Sequence, residues 1–469
     1  MESMTRVADA IYETSGARPD VPVRLIADEE LLGQVQKDRS LEQLRNVSTL
    51  PGVAHFVVGM PDMHEGYGFP VGGVAATRPP NGVISPGGIG FDINCGVRLL
   101  ASDLRRSSIE PLPLVHELSR SIPSGYGRTG RIELSSGELD AVLREGCSYL
   151  VTEKGMGRAE DLETIESGGS LRAADPSKVS ERAKHRGREQ LGTLGGGNHF
   201  LEVDVVEELF DEAAARALGL FPGQVTVLIH SGSRGLGHQV CTDFVRRMDE
   251  ELGRFGIELP DRQLSCAPFE SPAGRDYFAA MCAAANFAWC NRQALTEQVR
   301  AVFARLFPRN AELRLVYDVA HNIAKLERIL GKELLVHRKG ATRAFWPGHP
   351  ELPERYRGIG QPIFIPGSMG TCSFVLVGTE ASERISLSST CHGAGRALSR
   401  GAAKRAVKGA ELRRQLESRG IVVRCPSNAE LAEEAPLAYK DVEHVVDVVE
   451  RAGIARKVAR LEPIGVLKG

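Results

Sequence analysis

Phe91-Asp92-Ile93-Asn94-Cys95-Gly96-Val97-Arg98 is the stretch on which this chain turns. Asp92 and Cys95 stand three residues apart, so a carboxylate and a thiol on one turn can meet a single metal ion. The approach, Ser85-Pro86-Gly87-Gly88-Ile89-Gly90, is rich in glycine, which lets a backbone turn sharply and come close to a ligand. A thiolate has more than one usable lone pair, so Cys95 has the capacity to bridge two cations. The plain alternative is a buried cysteine in a tight turn, which is a common arrangement. These eight residues alone do not choose between the two.

Working outward, the same pattern recurs. A strand-like run meets a glycine-rich loop, and a metal-capable residue sits at the junction. His199 stands in Gly195-Gly196-Gly197-Asn198-His199-Phe200, and His230 closes a Val/Ile/Leu run that empties into Ser231-Gly232-Ser233-Arg234-Gly235. His321 follows the run at 313–319, and His392 stands in Cys391-His392-Gly393-Ala394-Gly395-Arg396. A single histidine of this kind is more often a core or capping residue. Five such junctions in one chain point instead to a common centre of one thiolate, one carboxylate and several imidazoles, enough for two metals. Cys with His suits Zn, Fe, Co or Mn better than Mg or Ca, and affinity order alone puts Zn ahead of Mn. His55, His116, His185, His337, His349 and His444 lack this context and are assigned to structural or surface positions.

The loops at 195–198, 366–370 and 392–395 can hold phosphates through backbone N–H groups. None is a Walker A motif or a Rossmann fingerprint. The stretch 60–73 sets Asp62 and His64 among further glycines, as backbone-lined sites do.

The 469 residues are 42% hydrophobic with a net charge of −2, so a core is assured and any nucleic-acid site must be a local basic patch. Nine scattered cysteines without a CxxC pair argue against a disulfide framework and for a reducing compartment. The polar start of the chain is not a secretory signal, and the longest apolar run, near 277–290, is too short for a bilayer. A soluble, cytoplasmic protein is expected. Residues 1–50 read as a peripheral segment with short amphipathic helices, such as 28–35. The spacing of Val240, Phe244, Met248 and Leu252 predicts a helix, and 276–306 reads as one long Ala-rich helix or two in series. Strands are expected at 53–58, 224–230, 313–319, near 334 and 364, and at 374–377, with a last helix at 442–450. The charged stretch 160–188 reads as solvated helix and loop. Strands and helices alternate without a clean βαβ rhythm, so the pattern does not support a doubly wound sheet.

FDINCGVR, GGGNHFLE, HSGSRGLG, DVAHNIAK, PGSMGTCSFVLVG, CHGAGR and the terminal IGVLKG together resemble the RtcB family of RNA-splicing ligases, from about Val53 to Gly469. The resemblance implies one compact α+β domain over 1–469, with mixed sheets, peripheral helices and a central metal cleft. It implies a GTP- and Mn(II)-dependent ligase of tRNA splicing or RNA repair. Such an enzyme joins RNA 3′-phosphate or 2′,3′-cyclic phosphate ends to 5′-hydroxyl ends through a guanylylated histidine and an RNA-ppG intermediate. By the same resemblance Asp92, Cys95, His199, His230 and His321 hold two Mn(II) ions. Cys95 is the bridge, Asp92 and His199 complete one ion, and His230 and His321 the other. His392 matches the guanylylated nucleophile. Asn198, Asn322, Pro366, Gly367, Ser368, Met369, Ser373, Gly393, Ala394, Gly395 and Lys468 match guanylate-binding positions. Glu202 is assigned to the guanine edge, whose N1 and N2 hydrogens an acceptor-only carboxylate can read. Chain ends normally fray, so Lys468 implies a tail packed into the site. Arg234 is assigned to RNA phosphate, and Asp62 and His64 to the layer behind the site or to the RNA end. The resemblance implies RNA and GTP as partners; archease-type activators accompany many family members, which leaves open whether this chain uses one, and a monomer without membrane attachment is expected. A two-metal phosphoesterase or nuclease would share the metals and phosphate loops but would not need His392, Glu202 or Lys468. A non-catalytic RNA-binding or chaperone-like protein is weighed against by the near-neutral charge.

Overall fold

The computed structural model describes residues 4–309 and 312–469. Two large sheets carry the fold. The first runs, from edge to edge, Thr5–Ala8, Ile11–Ser15, Pro22–Ile26, Val53–His64, Val71–Thr77, Lys332–Lys339 and Asn322–Ile329. The second runs Leu313–Ala320, Gly96–Arg105, Gln224–Ser231, Phe200–Leu209, Ala455–Lys468, Ser373–Gly378 and Pro362–Ile365, with Val422–Arg424 pairing beside Ala455–Lys468. Each sheet is antiparallel except for one parallel pair, Pro22–Ile26 on Val53–His64 in the first and Val422–Arg424 on Ala455–Lys468 in the second. The mixture makes one compact α+β domain. The chain crosses from the second sheet to the first at a single residue, His321, between Leu313–Ala320 and Asn322–Ile329.

Strand Gln224–Ser231 is buried along its whole length. Its alternate residues Val225, Val227 and Ile229 enter one core cluster and Leu228 enters another, so both faces of the sheet are covered. One face receives the helix Pro272–Leu306, a single helix of 35 residues. Ser271 caps it by accepting from the Gly274 N–H, and Pro272 occupies the first turn, where a missing N–H costs nothing. Apolar on nearly every side from Ala280 to Leu295, this helix belongs in the interior.

The same helix carries buried polar residues, which must find partners or cost several kcal/mol each, of the order of 1–3. Asn291 accepts from the N–H groups of Gly192 and Thr193 and donates to the carbonyls of Thr193 and Gly232. Arg292 engages all five of its donors. Nε and Nη2 reach Asp318 at 2.9 and 2.7 Å, Nη1 reaches the carbonyls of Asn94 and Ser231 at 2.8 and 2.9 Å, and Nη2 also reaches Asn94 Oδ1 at 3.1 Å. Asp318 takes a second guanidinium, Arg98, at 2.7 Å.

Two expectations need correction. The first fifty residues do hold short helices, Glu29–Val35 and Ser40–Val47, and Asp28 caps the former. They also contribute three strands to the first sheet, in which Val23 and Leu25 are fully buried. The strands are too short for their alternation to register in the sequence. The stretch 160–188 is not simply a solvated face either. Asp161 is buried against Arg300, and Glu166 is buried beneath Lys325 and Arg343.

Removing one partner of a buried ion pair strands the other charge, at a cost of about 3–5 kcal/mol. Asp318→Asn, which leaves both Arg98 and Arg292 short of a counter-charge, should lower the urea unfolding free energy by roughly that much. A second expectation concerns His337, fully buried on Lys332–Lys339, whose imidazole burial pushes down to about 4. The unfolded chain takes up this proton near pH 6.5 and the folded chain does not until about pH 4. Stability therefore falls as pH drops through that window, by up to about 1.4 kcal/mol per unit. The slope of unfolding free energy against pH should be shallower in His337→Gln by that amount.

Candidate active site

Strand register decides where the ligand-capable residues meet. Gly96 pairs with Ala320 on one side and Ser231 on the other, and Phe200 pairs with His230 on one side and Lys468 on the other. Five strands thus end in one row. Cys95 immediately precedes Gly96, His199 precedes Phe200, and His321 follows Ala320.

The Asp92–Cys95 turn is closed by Cys95 N–H donating to the Asp92 carbonyl at 3.0 Å. Asn94 takes a left-handed conformation, φ 51°, which Asn tolerates better than most residues, and its side chain is fixed by Arg292 and by the Ala285 carbonyl. Gly96 admits no side chain: a Cβ would lie 2.3 Å from the Val319 carbonyl oxygen and 2.9 Å from the Arg292 guanidinium carbon.

Around this turn the donor atoms crowd together. Cys95 Sγ lies 3.2 Å from His230 Nε2 and 3.4 Å from His199 Nε2. His230 Nε2 lies 3.2 Å from His321 Nε2, and His199 Nε2 lies 2.7 Å from Asp92 Oδ2. Two trios result, Asp92/Cys95/His199 and Cys95/His230/His321, each with its donor atoms within 4.8 Å of one another, and Cys95 belongs to both. A tetrahedral ion with bonds of about 2.1 Å has edges of about 3.4 Å, so the sulfur–nitrogen and nitrogen–nitrogen spacings suit a transition-metal ion. The donor chemistry suits one as well. Burial holds His230 and His321 well below the ordinary imidazole range, which keeps them neutral, the form that binds metal. Burial works to raise the Asp92 carboxyl, but His199 and then Arg234 outweigh it and hold it at about 2. Burial, followed by the Asp92 charge, pushes the Cys95 thiol up, so a cation is what would favour its ionised form.

His392 follows the short strand Ser389–Cys391, with its ring centre 5.0 Å from that of His321. Asp62, from the far sheet, is aimed at it. Asp62 Oδ2 accepts from His392 Nδ1 at 2.6 Å, from the His392 backbone N–H at 3.0 Å and from Gly393 N–H at 3.3 Å.

One cleft gathers His64, Asp92, Cys95, Asn198, Glu202, His230, His321, Asn322, the loop 366–369, the turn 392–395 and Lys468. Lys468 is buried at the end of Ala455–Lys468, its Nζ 3.8 Å from the Glu434 carboxylate and 5.3 Å over the Phe200 ring. Burial, and then Asp204, pushes the Glu202 carboxyl well up, with Lys468 opposing. Four of the residues singled out in the sequence stand behind the lining. His199 presents only its Nε2 to the metal trio, and Ser373 Oγ braces the phosphate-type loop by accepting from Gly367 N–H at 3.2 Å. Asp62 lies under His392. Arg234 sits against His199, Nη1 to Nδ1 at 3.5 Å, and donates to Thr193 Oγ1 at 3.1 Å.

Sequence reasoning passed over Lys339, Arg396, Arg400, Glu434 and Tyr439, which also line the cleft. Lys339 donates to the Phe69 carbonyl at 2.9 Å, and burial lowers its ammonium to about 7. Arg396 stands in the quoted CHGAGR motif and was the one of these with a visible signal; it donates to Glu434 at 3.2 Å and to the Tyr439 hydroxyl at 3.1 Å.

A family model described as tRNA-splicing ligase RtcB matches residues 43–469, which defines the class. Among relatives, the tRNA-splicing ligase RtcB of Thermococcus kodakarensis is 53% identical over 461 residues, covering 96% of this chain and 95% of its own. That of Methanococcus maripaludis is 48% identical over 479 residues, covering 100% and 99%. The RNA-splicing ligase RtcB of Mycobacterium tuberculosis is 52% identical over 436 residues, covering 91% and 100%. The chain belongs to the RtcB family. No helix among the described residues is long and apolar enough to cross a membrane.

Because Cys95 is common to both trios, its loss should differ in kind from the loss of a one-trio residue. In divalent transition-metal titrations followed by calorimetry and elemental analysis, Cys95→Ala should lose binding at both trios, whereas His321→Ala should retain binding at the Asp92/Cys95/His199 trio.

Proposed function

We propose that this RNA ligase works with GTP and two Mn(II) ions, and that the nucleotide passes through His392. The observation that carries this reading is the Asp62–His392 pair at the edge of the metal trios, with Nδ1 and Asp62 Oδ2 2.6 Å apart. With its Nδ1 proton donated to Asp62, the imidazole has its Nε2 lone pair free for attack. Asp92, Cys95, His199, His230 and His321 would hold the metals, which when bound supply Lewis-acid neutralisation of phosphate charge.

His392 Nε2 attacks the α-phosphorus of GTP. A P–N bond forms, the bond to pyrophosphate breaks, and the Asp62 carboxylate offsets the positive charge on the ring. A cyclic RNA end is opened beforehand by water, whose oxygen forms a new bond to the phosphorus while the P–O2′ bond breaks and the 2′-oxygen takes up a proton, leaving a 3′-phosphate. An oxygen of that phosphate then attacks the same α-phosphorus, the P–N electrons return to Nε2, and RNA-ppG is released from the histidine. The 5′-hydroxyl attacks the RNA 3′-phosphorus, GMP departs, and the hydroxyl proton passes to solvent. Asn198, Asn322, the 366–369 loop, the turn 393–395 and Lys468 would hold the guanylate, with Ser373 behind the loop. Glu202 supports guanine over adenine: buried in the cleft, its carboxylate would be stabilised by the N1 and N2 hydrogens of guanine, a donor pair adenine lacks. Tethering these parts in one domain over 1–469 keeps nucleotide and RNA ends within reach of one imidazole.

Incubation with labelled GTP and Mn(II) tests the reading without RNA. The parent protein should acquire a covalent, acid-labile label. ATP should give none, and His392→Ala should give neither label nor ligation of a 3′-phosphate RNA to a 5′-hydroxyl RNA. An unlabelled protein that nonetheless hydrolyses phosphoesters would point to a two-metal hydrolase.

A further inference from the structure

Tyr126 is 56% exposed, an unusual position for a large ring beside a deep cleft. Among the described residues the other exposed aromatic side chain, Phe210, is stacked on Phe374 with ring centres 6.2 Å apart. Among the described residues Tyr126 has no ring partner. Its loop is tied to the glycine run that leads to Asn198 and His199: Gly125 N–H donates to the Gly195 carbonyl at 3.0 Å, and Leu194 N–H to the Pro123 carbonyl at 2.9 Å. The ring lies against that run. A Cβ on Gly196 would fall 2.7 Å from Tyr126 Cε2, and one on Gly197 would fall 2.9 Å from the Tyr126 hydroxyl. On Gly197 the ring has a neighbour, Arg400, whose Nη2 would be 2.7 Å from the same Cβ. Asn198 and Arg400 both line the cleft, so Tyr126 stands at its rim.

The absence of side chains on Gly196 and Gly197 lets the ring rest on bare peptide, which fixes one side and leaves the rest of its surface to solvent. A rigid ring presented in this way next to a guanidinium is how proteins take up unpaired RNA bases, by stacking that tolerates any base identity. We propose that Tyr126 is a stacking platform for an unpaired base of the RNA strand that enters the cleft. The proposal rests on the ligase reading above and adds to it a contact with substrate outside the nucleotide and metal positions.

Ligation kinetics at saturating GTP compare the parent with Tyr126→Phe and Tyr126→Leu. KM for RNA should rise about ten-fold in Tyr126→Leu and stay within about two-fold of the parent in Tyr126→Phe, with kcat moving far less than KM in both. Fluorescence anisotropy with non-ligatable RNA should give the same ranking of affinity. RNAs with a single abasic residue, stepped back from the reacting end of either strand, identify the stacked base: at that position parent and Tyr126→Leu should bind alike. Equal KM for parent and Tyr126→Leu on intact RNA overturns the proposal. So do penalties of the abasic residue and of Tyr126→Leu that simply add at every position. A parent protein that forms no GTP adduct fails the ligase reading instead and takes this proposal with it. A labelled parent with no Tyr126 effect fails this proposal alone.

Discussion

The site depends on one guanidinium. Arg292 points from the buried helix Pro272–Leu306 into the backs of three strands, with every donor used. Two of its partners are the carbonyls of Asn94 and Ser231, which adjoin Cys95 and His230 in sequence. A planar fork with fixed angles therefore sets the distance between the sulfur and the imidazole in front of it. A buried charge in that position is tolerated because Asp318 faces it and because its remaining hydrogens meet carbonyls. Asp318 is shared with Arg98 on the neighbouring strand, so the same carboxylate locks two strands of the second sheet against the helix. The spacing of the donor atoms is thus set by the packed interior itself, as a preorganised metal site would require.

The cleft lies where the layers meet. The second sheet brings Cys95, His199, His230 and Lys468 along one row of strand ends. The first sheet brings Asp62, and the small pair Ala341–Arg343 with Ser389–Cys391 brings His392. His321 is the single residue between the sheets, and it touches both groups: its Nε2 faces His230, and its ring neighbours that of His392. The His392 imidazole is held by the Asp62 carboxylate at 2.6 Å beside the two ligand-capable trios, and the carboxylate fixes which ring nitrogen stays open. The C-terminal strand completes the arrangement. Pairing from Ala459 to Lys468 along Phe200–Leu209 is what holds Lys468 in the cleft.

Much of this was legible beforehand, for identifiable reasons. Val240, Phe244 and Met248 recur at helical spacing because one side of Arg234–Phe255 is buried, and they are buried on it. The Val/Ile/Leu run at 224–230 is continuous because its strand is covered on both faces. The N-terminal strands were not legible: four or five residues with mixed polarity carry no period, and they become strands only by pairing with Val53–His64 and with one another. Asp161 and Glu166 look like surface acids because charge is usually solvated, and nothing local reveals Arg300 or Lys325 arriving from more than a hundred residues away. Lys339 and Glu434 escaped notice for the same reason, since a lone charged residue has no motif.

By itself the sequence determined the chemistry available: a cysteine and an aspartate three apart, histidines at strand ends, and glycine where backbone must come close. Those features are local, because each follows from residue type and from neighbours along the chain. Which atoms meet was decided only by tertiary structure. Strand register brings Gly96, Ser231, Phe200 and Lys468 into line, and Arg292 fixes the backbone on either side. Pairing of residues separated by hundreds of positions is a property of the packed sheets and not of any segment, so the distance between Cys95 and His230 exists only once the core has formed.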